Sequence, residues 1–140
     1  MKYLLDTNIV FDLLRNPHGT AAKRLSEIGD EQVCTSIIVA AELRYGATKK
    51  GSPKLTARVH AIFSRLKVLP LDAPADDAYA SLRTRLESRG RPIGSHDLLI
   101  AAHAIALGCI LVTGNEREFG RVDGLDIENW LRPARPPRHE

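Results

Sequence analysis

The sequence predicts an α/β fold: a three-layer sandwich in which helices flank a parallel sheet of four to five strands. Three observations predict it. The apolar runs "YLL" (3–5), "QVCTS" (32–36), "KVLPL" (67–71) and "CILVT" (109–113) are short and lack strict alternation, which is how strands read when both faces of a parallel sheet are covered. The segments between them carry helical periodicity. Strand therefore alternates with helix along the chain, the order that parallel crossovers require.

The first helix follows "YLL" directly. In "NIVFDLLR", Ile9, Val10, Leu13 and Leu14 form one apolar stripe, and Pro17, His18 and Gly19 end it. A second helix over 20–28 turns Ala21, Leu25 and Ile28 inward. A third runs from Ser36 or Ile37 to about Lys49, capped by Thr35 or Ser36 and stopped by Gly51 to Pro53. "KLTARVHAIFSRL" and "APADDAYASLRTRLESRG" are amphipathic, with arginines outward. "SHDLLIAAHAIALG" is apolar nearly all round, which suits a helix lying against the sheet; Ser95 is its expected cap and Gly108 its stop. "GNEREFG" reads as a loop with a short helical turn, and "GLDIENW" as a fifth, edge strand.

The chain has 140 residues, 44% of them apolar, which is enough for one domain with its own core. Residues 1–132 form that domain, and the Pro- and Arg-rich tail 133–140 is expected to be extended or disordered. Twenty Lys and Arg against 17 Asp and Glu give a net charge of +3 without a basic block, a balance that permits nucleic-acid binding without demanding it. No apolar run approaches the roughly 20 residues of a membrane span, and "MKYLLDTN" meets an acid too soon for a signal peptide, so a cytoplasmic protein without membrane attachment is expected. Cys34 and Cys109 sit at strand positions where a small buried thiol is ordinary, and neither has partners at zinc-ligand spacing.

The acids carry the chemistry. In α/β folds, ligands gather at the carboxyl ends of the strands, and Asp6 closes the first strand there. Capping of the following helix is the local alternative for it. Asp97 lies in the first turn of its helix, where the helix dipole alone accounts for an acid. Glu42, embedded in "IIVAAELRYG", lies past the first turn, so neither capping nor the dipole explains it; a solvated outer face does. Asn115, Glu116 and Glu118 follow the fourth strand, with one or two expected to face the crevice of Asp6 and at least one to be surface charge. Carboxylates gathered at one edge repel and need a cation. Oxygen ligands without thiols select a hard ion, Mg²⁺ or Mn²⁺, which polarises phosphoryl oxygens and activates water. The chemistry suggested is phosphodiester hydrolysis.

With "LLDTNIV", "TSIIVAAELRYGA" and "RPIGSHDLLIAAHAIALGCILVTGNEREFGRVDGLDIENW", the sequence resembles the PIN-domain ribonucleases, in particular the VapC-type toxins of bacterial toxin–antitoxin pairs. The likeness runs from Lys2 to about Trp130, with its parts in the family's order. It implies a PIN-like parallel sheet and an acidic Mg²⁺ or Mn²⁺ site in which Asp6, Glu42 and Asp97 match the first three family acids. Asn115 falls on the fourth position, commonly Asp and sometimes Asn, and its missing charge brings in Glu118 as a helper acid. By the resemblance, Asp6 and Asp97 hold the metal, and Glu42 completes its shell through water or takes a proton from the attacking water. Asn115 or Glu118 orients that water, with Thr7, Asn8 and Ser36 as hydrogen-bonding support. It further implies an RNA substrate, often a tRNA or ribosomal RNA loop, a VapB-type antitoxin that inserts a segment into the site, and a homodimer. Arg44, Arg83, Arg89, Arg91 and Arg117 are available for phosphates or for solvent.

Other residues and readings stand beside these. His96 and His103, seven apart on a helix, are about 10 Å from each other and too far apart for one small ion, so packing or surface roles are expected. Tyr45 and Trp130 suit base stacking, an interface or the core. A flavodoxin-like signalling domain also gathers acids at strand ends. Here Asp72 imitates its acceptor, but the paired acids and the late Lys of such domains are missing. A catalytically silent PIN-like domain that binds RNA or protein is the remaining alternative.

Overall fold

Strand β1 (Tyr3–Leu5) runs through the middle of the sheet, with Leu4 and Leu5 wholly buried. The structure is a computed structural model and describes residues 2–133. Beside β1 lies β2 (Val33–Ser36) on one side and β4 (Ile110–Val112) on the other, with β3 (Lys67–Leu69) and β5 (Ile127–Glu128) at the edges. All four pairings are parallel, in the order β3-β2-β1-β4-β5. The first predicted run matches β1 at both ends, and the other three are trimmed by one or two residues. The expected fifth strand forms at the edge.

The helices are α1 (Thr7–Arg15), α2 (Thr20–Ile28), α3 (Ile37–Lys50), α4 (Pro53–Arg65), α5 (Ala75–Ser88), α6 (Ser95–Leu107) and the single turn α7 (Glu116–Phe119). Right-handed crossovers put α1 to α4 on one face, because the chain steps from β1 out to β3, and α5 and α6 on the other as it returns to β4. α1 packs on α2, α3 and α4, and α5 on α6. The anticipated stripe of Ile9, Val10, Leu13 and Leu14 is buried, and α6 buries residues all round its girth. Burying side chains such as Ile9, Leu111 or Phe119 stabilises the fold by roughly 1.5–3 kcal/mol each. One cap differs from expectation: Gly94, not Ser95, is the N-cap of α6, and no side chain caps that helix. Both cysteines are buried, as a strand thiol should be. No helix among the described residues is long and apolar enough to cross a membrane. The tail from residue 134 onward lies outside the described residues.

The strand order also settles one alternative. Flavodoxin-like sheets run 2-1-3-4-5, whereas here β1 sits between β2 and β4. The direction of winding reverses between β1 and β4, so the crevice opens where Asp6 and Thr113 leave those two strands.

Candidate functional site

Asp6 is buried at 4% exposure and tied on every side. Its N–H extends the β1–β4 ladder to the Val112 carbonyl at 2.9 Å. Its Oδ1 accepts from the Thr7 N–H at 2.8 Å, while Oδ2 accepts from the Thr113 hydroxyl at 2.7 Å and from Asn8 Nδ2 at 3.4 Å. Asp6 therefore does cap α1, as the local alternative held, but with one oxygen only. Burial pushes its carboxyl above the usual range, and the nearby Glu118 charge adds to that, against three hydrogen bonds that favour the anion.

Glu42 reaches the same place from α3. Its Oε2 accepts from Thr7 Oγ1 at 3.3 Å, and Oε1, buried without a hydrogen-bond partner, lies 3.7 Å from Nδ1 of the exposed His96. Asp97 comes from the first turn of α6. Burial, a hydrogen bond shared with Glu118 and the charges of Glu118, Asp6 and Glu42 together push its carboxyl up to about 7. Glu118 is the ionised partner of that pair, held below its ordinary range by the Asp97 proton, the Gly94 N–H at 2.9 Å and Asn115 Nδ2 at 2.8 Å. The expectation that one of the late acids is surface charge falls on Glu116, which bonds Arg132 and Asn129 instead.

The structure thus brings Asp6, Glu42, Asp97 and Asn115 onto one cleft of about 510 Å³, with Glu118 bonded to Asn115 and Asp97 behind them. Thr7 and Asn8 support the acids as expected: Asn8 Oδ1 also accepts the Gly114 N–H at 2.8 Å. A Cβ at Gly114 would stand 2.6 Å from Leu131 Cδ1, so the exposed Leu131 side chain would have to turn aside to admit one. Ser36 does not join them; its hydroxyl is turned to Ile38 and His103. Sequence reasoning missed Thr113. It is fully buried, donates to Asp6 and accepts the Asn115 N–H at 3.0 Å, joining the two sides of the crevice. Its signal was the register: Leu5 faces Val112 across the ladder, so the next residues, Asp6 and Thr113, stand opposite each other.

The remaining candidates divide plainly. Arg83 and Arg89 are engaged with Glu87 and Asp123, Arg44 lies over the Phe63 ring, and Arg91 and Arg117 are exposed. Trp130 is a core residue packed on Tyr3 with ring centroids 5.3 Å apart, whereas Tyr45 is 64% exposed. His96 is on the surface and His103 in the core, so they form no metal pair.

Residues 3–125 match the family model of the PIN domain. The chain is a PIN domain. Within that family it belongs with the VapC ribonucleases. It is 38% identical to the tRNA(fMet)-specific endonuclease VapC of Shigella flexneri over 93% of this chain and 98% of that protein. Among solved structures, this PIN domain is similar to a chain of the crystal structure of VapBC2 from Rickettsia felis bound to a DNA fragment from their promoter. The TM-score is 0.84 and the identity 38%, over 93% of this chain and 99% of that one. The DNA-bound VapBC of Salmonella typhimurium gives a TM-score of 0.86 at 36% identity, over 93% and 98%.

Proposed function

We propose that this chain is the toxin of a toxin–antitoxin pair, a Mg²⁺- or Mn²⁺-dependent endoribonuclease whose centre is built from Asp6, Glu42, Asp97, Asn115 and Glu118. One observation carries the reading: acids from three separate segments, with Asn115 from a fourth, converge on one cleft at the point where the sheet's winding reverses. Membership of the VapC ribonucleases supports the same activity.

The donor set fits a hard cation. Among the described residues no three acidic, His or Cys side chains form a ready-made cage. An ion that keeps several waters needs only one or two direct carboxylates, and Glu42 Oε1 is a buried oxygen with no hydrogen-bond donor on it. Asp6 and Asp97 would hold the ion, with Glu42 reaching it directly or through water. When bound, the ion polarises a phosphoryl oxygen and lowers the pKa of its water.

The chain's own groups do the rest. Glu42 Oε1 is the oxygen free to accept a proton from the attacking water. Asn115 presents its amide beside that path while Glu118, anchored by the Gly94 N–H, holds Asn115 and Asp97 in place. Thr113 keeps Asp6 aimed at the cleft. The substrate is RNA, with a tRNA or ribosomal RNA loop the expected target, since the Shigella relative is named for a tRNA. The partner is a VapB-type antitoxin, as in the VapBC complexes this fold resembles, and the toxin acts in the cytoplasm as a homodimer.

Purified protein incubated with total cellular RNA, followed by sequencing of the new ends, tests this. A dominant cut that needs Mg²⁺ or Mn²⁺ and is lost in Asp6→Ala and Asp97→Ala supports the reading. Cleavage that persists in both variants, or no cleavage of any RNA, contradicts it.

A further inference from the structure

The turn that begins α3 is held from two sides by buried hydroxyls. Thr35 Oγ1 donates to the Leu5 carbonyl at 2.7 Å, one residue before Asp6. Ser36, fully buried, accepts the Ile38 N–H at 3.1 Å and so caps α3. The same oxygen lies 2.9 Å from Nδ1 of His103, a residue of α6 only 2% exposed and six positions beyond Asp97. A neutral imidazole with its proton on Nε2, the side near the Pro70 carbonyl, lets Ser36 Oγ donate to Nδ1 while it accepts from Ile38. Burial holds His103 toward that neutral form. The Asp72 charge and the Pro70 carbonyl, from the connection between β3 and α5, act the other way without prevailing.

Nε2 of this ring is buried and has only the Pro70 carbonyl near it, outside good hydrogen-bond geometry. So poorly satisfied a polar atom is a cost that an apolar side chain would avoid in a helix otherwise buried through Leu98, Ile100, Ala101, Ala102 and Ala104. What the imidazole supplies, and leucine would not, is one directional bond. That bond joins the helix bearing Asp97 to the N-cap of the helix bearing Glu42.

We propose that the Ser36–His103 hydrogen bond sets the placement of Glu42 relative to Asp97, which makes His103 a positioning residue for the divalent ion although it touches neither acid. The inference rests on the acidic cleft being the metal centre proposed above. It gives Ser36 a definite role at one remove from the acids, through α3, and it accounts for a buried histidine that the cleavage chemistry does not use. Residues that orient metal-binding groups without touching the metal affect affinity by roughly 10–100-fold when removed.

Calorimetric titration with Mn²⁺ alone at pH 7.5 tests it, on the full chain. Wild type binds Mn²⁺; His103→Leu binds about tenfold more weakly, with a metal-free melting temperature that does not fall. His103→Asn, whose Oδ1 takes the place of Nδ1 as acceptor of the Ser36 hydroxyl, regains most of the affinity. RNA cleavage by His103→Leu drops at limiting Mn²⁺ and recovers at saturating Mn²⁺. Should His103→Leu fail to fold, Ser36→Ala against Ser36→Thr decides: weaker binding in the first alone supports the proposal, equal binding overturns it. Mn²⁺ affinity unchanged in His103→Leu, or a loss that His103→Asn does not repair, shows a purely structural histidine. In that case wild-type binding and cleavage stand. If wild type itself binds no Mn²⁺, the metal centre is wrong and this inference falls with it.

Discussion

Asp6 is held as an acid in a place that disfavours acids, and its behaviour without metal should show the strain. Replacing it by Asn removes the repulsion with Glu118 while keeping an acceptor for Thr113. We expect Asp6→Asn to raise the metal-free melting temperature, by the equivalent of about 1 kcal/mol, and to abolish the stabilisation that Mn²⁺ gives wild type; melts with and without Mn²⁺ check both. Asp97 adds a pH dependence. Burial and the shared proton with Glu118 push its carboxyl up to about 7 in the folded chain, against about 3.9 for an unperturbed Asp, so the folded form binds the proton more tightly. That contribution to stability is complete below about pH 4 and is lost as pH rises to 7 and just beyond; the raised Asp6 carboxyl acts in the same direction. Metal-free melting temperatures should therefore fall between pH 5 and 7.5, and Glu118→Gln should flatten the fall by removing the pair that raises Asp97. Asp6, Glu42 and Asp97 were legible in the sequence because each is an acid set in or beside an apolar run. Thr113, the Gly94 N–H and the His103 ring were not, because a hydroxyl, a backbone amide or a distant partner leaves no mark on a single sequence.

At the level of elements, the ends of β1 and β4 behave as one unit. Thr113 bonds both Asp6 and the loop carrying Asn115, so Thr113→Val, which keeps the shape and removes the hydroxyl, leaves Asp6 Oδ2 with only the longer bond from Asn8 and the Asn115 N–H without its side-chain acceptor. Such losses cost roughly 1–3 kcal/mol each in stability. RNA cleavage should fall with it, as chemical denaturation and a cleavage assay on the same preparation would show. By contrast, Ser52→Ala removes the cap of α4, a residue that bonds none of the acids, and should cost about 1 kcal/mol while leaving cleavage per folded molecule unchanged. Helix spans were readable because their apolar stripes and stops are local. The exception was the start of α6, where Ser95 offered a cap that the chain does not use: the backbone leaves Gly94 in the capping position and gives its N–H to Glu118.

Across the whole molecule, strand order does what no single motif does: it brings residues 6, 42, 97 and 115 to one cleft. The alternation of strand and helix already implied a parallel sheet. Its order, and with it the exclusion of the flavodoxin-like alternative, depends on pairings between distant segments that short apolar runs do not specify. The mild positive charge is spread along the chain, and arginines such as Arg83 and Arg89 are engaged with neighbouring acids. If this cleft is a metal-dependent nuclease, the rate of single-turnover RNA cleavage rises saturably with Mn²⁺, falls to nothing in EDTA, and drops by more than about 100-fold in Asp97→Asn at every Mn²⁺ concentration. A rate that ignores Mn²⁺, or that Asp97→Asn leaves intact, would contradict that reading.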